Sequence, residues 1–178
     1  LPAFKKLEDH FLGASEHHGV GGGWRIEAPR LSWAVLDAVG EAAHEMGIRK
    51  TPDFNTGDNE GIGYFHVNQK RGRRWSSARG FLKPALSRPN LRLETNVLVD
   101  KVIVENGRAV GVRFAQGGET FEARTQGEVI LCSGSVGSVQ VLHRSGIGPQ
   151  EWLSPLGIDT VLDRQGVGRN LQDHLQQR

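Results

Sequence analysis

Glu128-Val129-Ile130-Leu131-Cys132-Ser133-Gly134-Ser135-Val136-Gly137-Ser138, running on to Arg144-Ser145-Gly146-Ile147-Gly148, decides how this chain is read. Its four consecutive apolar residues, Val129 to Cys132, are too few for a helix and sit between Gly127 and Gly134. They predict a strand buried on both faces. Gly134 and Gly137 then open conformations closed to other residues and let another group approach the main chain. Ser138 is placed to cap a following helix, with Val139, Val141 and Leu142 on its apolar side and Gly146 as its stop. Buried strand, small-residue turn and helix start together offer a ligand a row of backbone N–H groups.

Bulk properties set the frame around that stretch. A chain of 178 residues is long enough for a domain with a core, and a net charge of +2 gives no call for nucleic acid or membrane. The single cysteine, Cys132, lies in the apolar run; it reads as a small buried side chain and excludes an intrachain disulfide. No apolar run approaches the roughly twenty residues of a membrane span. Met46 is the sole methionine and the first residue is Leu1, which is expected of a piece of a longer protein.

Before the central stretch, Phe4, Leu7, Phe11 and Leu12 have helical spacing, ended by Gly13. His10, His17 and His18, with Asp9 and Glu16, lack a compact ligand pair at helical spacing and read as surface histidines near a helix end, so no metal is assigned. A short extended piece covers Trp24 to Ile26. A second helix is expected from about Ser32 to about Met46, with Trp33, Val35, Leu36, Val39 and Ala43 inward and Gly47 closing it. Thr51 to Gly63 is a polar loop whose Asp53, Asn55, Asp58 and Asn59 do not follow the spacing of a helix-flanked calcium loop. Tyr64 to Gln69 is expected to be extended. The basic cluster Lys70-Arg71-Gly72-Arg73-Arg74-Trp75 follows, and read by itself it is able to grip phosphates.

Leu91 to Phe114 carries the plainest pattern. Leu91 to Glu94 alternates, Val97 to Val104 is rich in β-branched residues, and Asn106-Gly107 is the strongest short hairpin signal. Val110, Val112 and Phe114 share a face on the return, and Gly117-Gly118 turns the chain again before Thr120 to Arg124. This is an antiparallel meander leading into the strand at Val129. Beyond Gly148 come a short helix and turn at Trp152 to Ile158, then Gly166-Val167-Gly168-Arg169-Asn170-Leu171-Gln172-Asp173-His174.

Gly134-Ser135-x-x-Ser138, Val141-Leu142 and Ser145-Gly146-Ile147-Gly148 resemble the second signature of the GMC (glucose-methanol-choline) flavoprotein oxidoreductases. Val139 stands where that family usually has proline, which weakens the helix start without changing the architecture. The segment Gly72-Arg73-Arg74-Trp75-Ser76-Ser77-Ala78-Arg79-Gly80-Phe81-Leu82 is similar to a GMC element that forms a helix packed inside the enzyme. The meander, and the tail from Gly166 to His174, resemble the family in the same order, closest to its choline dehydrogenase-like branch. The resemblance covers nearly the whole chain.

From it follows an α+β fold, an antiparallel meander plus a buried strand with flanking helices, as part of an FAD-binding GMC fold. Residues 1–63 would form substrate-side helices and loop, 64–148 part of the FAD-binding domain, and 149–178 a return toward the substrate domain. FAD is the implied cofactor. Val99 aligns with a position that offers main-chain atoms to its adenine end, and Ser133 and Gly134 lie at the signature turn. The implied reaction is oxidation of a primary alcohol to an aldehyde by hydride transfer to flavin.

The chain lacks the Gly-x-Gly-x-x-Gly phosphate turn between strand and helix that such an enzyme needs. The family's catalytic histidine falls beyond Arg178, so no catalytic base is assigned to His66, His143 or His174, and the piece by itself is expected to be inactive. His174 and Gln176 are the substrate-side candidates. Choline-oxidising members carry glutamate where Gln176 stands. The neutral amide forgoes charge attraction to a trimethylammonium group, which puts a neutral primary alcohol on at least equal terms with choline. The alternatives are a hydroxynitrile lyase on the same fold and a non-catalytic anion-binding module using Lys70 to Arg74. The partner expected is a small-molecule alcohol, without nucleic acid or a transmembrane segment in this piece; exposed strand edges would favour a homo-oligomer.

Overall fold

Two stretches of different character make up the computed structural model, which describes residues 1–174. Leu1–Leu93 and Glu94–Arg178 each form a compact unit.

In the first unit the helical spacing of Phe4 to Leu12 is realised for little more than one turn. Helix α1 spans Pro2–Leu7, after which the chain is extended as β1, Glu8–His10, paired in parallel with β2, Trp24–Ile26. A helix this short is not self-sustaining in water, and the ladder to β2 together with the polar contacts of Glu8 and His10 replaces its second half. Helix α2, Ala34–Glu45, falls within the expected bounds, with Gly47 at φ 89° just past its end. Its apolar stripe does not face inward: Trp33 is 61% and Val35 63% exposed, Leu36 and Val39 are exposed too, and only Ala43 is half-buried. The contacts described for this helix are polar, Tyr64 Oη donating to Asp37 Oδ1 at 2.7 Å and Lys50 Nζ donating to Glu41 Oε1 at 2.5 Å.

The basic cluster forms a hairpin rather than the start of a helix. Strands β3, Gln69–Lys70, and β4, Arg73–Arg74, pair antiparallel across Arg71 and Gly72, at φ 53° and 76°. Two consecutive left-handed residues are incompatible with helix. Helical structure begins only at Ala78, as a π turn Ala78–Leu82 continued by α3, Lys83–Ala85. Of the extended piece expected at Tyr64 to Gln69, only the bridge of Val67 to Glu27 and the first residue of β3 appear.

The second unit follows its turn chemistry closely. Strands β5, Leu98–Glu105, β6, Arg108–Gln116, and β7, Glu119–Arg124, form the meander in the order β5-β6-β7. Its turns have φ of 50° and 75° at Asn106-Gly107 and 61° and 89° at Gly117-Gly118. Leu91 to Glu94, despite its alternation, joins no strand. Helix α4, Gly134–Arg144, packs on β5. Two short strands, β8, Ile147–Gly148, and β9, Leu162–Asp163, pair in parallel, with α5, Gln150–Leu153, and a 3-10 turn, Ser154–Leu156, between them. Gly146 (φ 77°) admits no side chain there, since a Cβ would lie 2.3 Å from the Asp159 carbonyl oxygen. Val102, Val141 and Leu153 are the buried aliphatic core.

The segment Val129 to Cys132 departs from its expected form. It joins no strand among the described residues and is not buried on both faces. Val129 and Leu131 line an apolar cavity of about 310 Å³ with Val102, Val104, Leu142 and Ile147, whereas Ile130 is 77% exposed and Cys132 is exposed as well. Without a neighbouring ladder, an apolar run keeps only the face that touches its own unit. No helix of the described residues is long and apolar enough to cross a membrane.

Candidate cofactor site and a buried histidine cluster

The signature turn begins its helix earlier than the serine pattern indicates. Helix α4 starts at Gly134, with Ser133 as N-cap and no side-chain capping bond, so Ser138 lies within the helix instead of capping it. Gly134 has φ 77°, a conformation natural to glycine, and an added Cβ would meet nothing within 4 Å. Ser133, Gly134, Ser135 and Val136 are all exposed. The first N–H groups of a helix lack intrahelical acceptors, so this start presents donors along an open main chain.

Val99 sits half-buried on β5, opposite Phe114. Its carbonyl accepts a hydrogen bond from Arg144 Nη2 at 3.1 Å, at the far end of the helix that Ser133 and Gly134 begin. The three residues implied for the cofactor thus belong to one connected substructure. His174 is exposed, and its N–H donates to Asp173 Oδ1 at 2.8 Å; no described hydrogen bond joins it to the other three. Gln176 lies outside the described residues.

The first unit holds a feature that the sequence pattern did not reveal. His10 and His18, read as surface histidines, are 3% and 6% exposed, and their rings stack with centroids 3.9 Å apart. His18 faces carboxylates through both nitrogens, Nδ1 to Glu8 Oε2 at 3.0 Å and Nε2 to Asp53 Oδ2 at 2.8 Å. His10 Nε2 lies 3.3 Å from His66 Nδ1. Burial, and next the neighbouring His18, push the His10 imidazole below its ordinary value. For Asp53 burial acts to raise the carboxyl, but the Asn55 N–H and His18 overcome it and hold the group below the usual carboxylate range.

Glu8, His10 and His18, and separately His10, Asp53 and His66, bring donor atoms within 4.8 Å of one another, a spacing able to hold a metal ion. The hydrogen bonds favour a different use. Leu12 N–H points to His10 Nδ1 at 3.4 Å, which leaves the ring proton on Nε2, directed at His66 Nδ1. In that tautomer both nitrogens of the His10 ring are engaged within the protein. Its partners are up to 56 residues apart, so no local spacing could have disclosed it. The one local hint is Asp53-x-Asn55, where the carboxylate accepts the N–H two residues on, at 2.9 Å.

Comparison with known proteins places these elements. The profile described as GMC oxidoreductase matches residues 2–176. The oxygen-dependent choline dehydrogenase of Burkholderia thailandensis is 42% identical over 178 residues, covering 99% of this chain and 32% of that protein. The mitochondrial choline dehydrogenase of Homo sapiens is 42% identical over 176 residues, covering 99% of this chain and 30% of that protein. This chain therefore spans about a third of the length of the curated relatives it matches. Among solved structures, the pyridoxine 4-oxidase of Mesorbium loti superposes with a TM-score of 0.92 at 32% identity, covering 98% of this chain and 34% of that one. The formate oxidase of Aspergillus oryzae, in which FAD modification was studied, gives 0.84 at 26% identity, covering 97% and 31%. With its meander, signature turn and tail all inside the matched span, the chain belongs to the GMC oxidoreductase family.

Proposed function

We propose that this chain is the central part of an FAD-dependent alcohol dehydrogenase, related to choline dehydrogenase, that oxidises a primary alcohol to an aldehyde. The observation that carries the reading is the near-complete alignment of the chain with choline dehydrogenases at 42% identity. The parts implied for the cofactor suit it: an exposed helix start with open space at Gly134, and a main-chain carbonyl at Val99 held in place by Arg144. Val99 would meet the adenine end, and Ser133 and Gly134 would line the cofactor with backbone donors. When bound, FAD supplies the acceptor for hydride removed from the carbinol carbon.

In this reading residues 64–148 serve the cofactor, whereas 1–63 and 149–178 serve the substrate side, with His174 and Gln176 as its contacts. Gln176 brings no negative charge to a cationic alcohol, so neutral primary alcohols stand on at least equal terms with choline. The base that takes the hydroxyl proton is assigned to no residue of this chain.

Anaerobic mixing of the full-length flavoenzyme with alcohols tests both levels. Bleaching of the flavin absorbance by a primary alcohol supports the dehydrogenase; no bleaching by any alcohol, with cleavage of a cyanohydrin instead, would make it a lyase. Bleaching by choline much faster than by simple alkanols would remove the argument from Gln176.

A further inference from the structure

The ladder between β5 and β6 carries an irregularity where the cofactor reading needs the main chain. Val99 is opposite Phe114 and Lys101 is opposite Arg113, so Asp100 is an extra residue on β5. A one-residue bulge leaves its backbone groups without ladder partners and increases the local twist. It therefore needs outside support to keep one geometry.

That support comes from helix α4. Arg144 Nε donates to the Asp100 carbonyl at 2.8 Å, and Nη2 donates to the Val99 carbonyl at 3.1 Å. The Asp100 carboxylate lies 3.6 Å from the same Nε and is gripped from β6 by Arg113, with Nε at 2.8 Å and Nη2 at 2.5 Å. The next residue continues the fastening on the other side of the bulge. Ser145 Oγ accepts the Val102 N–H at 2.8 Å and donates to the Val141 carbonyl at 2.6 Å, all of it buried. A planar guanidinium spanning two successive carbonyls fixes their relative direction as a lysine ammonium could not. Arg144 also occupies the last turn of α4, where the helix dipole favours a cation.

We propose that Arg144 is a positioning residue for FAD: by clamping the Val99 and Asp100 carbonyls it sets the direction in which Val99 presents its main chain to the adenine end. This rests on the assignment of Val99 to the cofactor given above. Recognition by main-chain atoms tolerates displacements of only about 0.5 Å, and the clamp supplies that definition without touching the ligand.

The test uses the full-length apoenzyme, with FAD and ADP as probes, in the wild type, Arg144→Ala and Arg144→Lys. The expected result is roughly tenfold weaker binding of both probes to Arg144→Ala while the apoprotein stays folded, with partial recovery in Arg144→Lys. A merely structural role would lower the apoprotein melting temperature and leave probe affinity per folded molecule unchanged, and that outcome overturns the proposal. If Arg144→Ala does not fold, Arg144→Lys binding ADP with wild-type affinity overturns it equally. Amide exchange over residues 98–102 separates the two levels. Absence of protection by FAD in the wild type would sink the Val99 assignment itself, whereas protection combined with full affinity in Arg144→Ala would sink only the clamp.

Discussion

Leu1–Leu93 and Glu94–Arg178 are stabilised in different ways. The first buries ionisable groups: His10, His18 and Asp53 are among its least exposed residues, and the apolar stripe of its longest helix lies open. The second buries Val102, Val141 and Leu153 and carries a three-stranded meander, with most of its ion pairs at half-exposed positions. Buried charge is held by geometry and lost abruptly when one partner goes, whereas aliphatic burial is graded. The contrast teaches where each unit is vulnerable.

The largest effect expected is from His18→Ala. Removing the ring leaves Glu8 and Asp53 without their shared partner in a low-exposure site, which costs about 3–5 kcal/mol. Denaturant unfolding followed by amide exchange would place the loss in Leu1–Leu93 alone. An equal loss of protection in the meander would break the contrast drawn above. Next comes Leu153→Ala. Leu153 is fully buried, and its truncation costs about 2–4 kcal/mol by transfer and cavity terms, with lost protection confined to Glu94–Arg178.

The smallest effect is the response to pH. Because the folded state depresses the His10 value, the unfolded chain binds the proton more readily, so stability is at its full value above the unfolded value of 6.5 and falls as pH drops below it. Asp53 adds a second loss further down, as pH falls below its unfolded value of 3.8 and through its depressed folded one. Melting of wild type and His10→Gln between pH 7.5 and 5.5 checks the sign. The wild type should lose stability over that interval and His10→Gln should lose less; a wild type that gains stability would contradict the buried neutral ring.

Legibility in the sequence tracks the same division. Asn106-Gly107 and the β-branched runs beside it encode the meander locally, because turn type and a period of two are properties of adjacent residues. Gly146, too, is read correctly as a stop, since the close approach of Asp159 leaves room for glycine only. Val129 to Cys132 was misread because four apolar residues signal a strand but not its partners, and burial on both faces depends on neighbours. His10 and His18 were misread because spacing rules look for pairs on one helix, whereas their partners Asp53 and His66 arrive from a distant loop. Arg144 lies within the span of a recognised signature, yet its bonds to Val99 and Asp100 cross 45 and 44 residues. A family pattern locates such a residue without saying what it holds.

The turns of the meander have a consequence in chain entropy. Asn106-Gly107 closes a loop between Glu105 and Arg108, whereas the pair His10 and His66 closes one of 56 residues. With closure entropy growing as the logarithm of loop length, the longer loop is harder to close by roughly 2–3 kcal/mol. The meander is thus ordered through short closures, whereas the histidine cluster of the first unit depends on a long one.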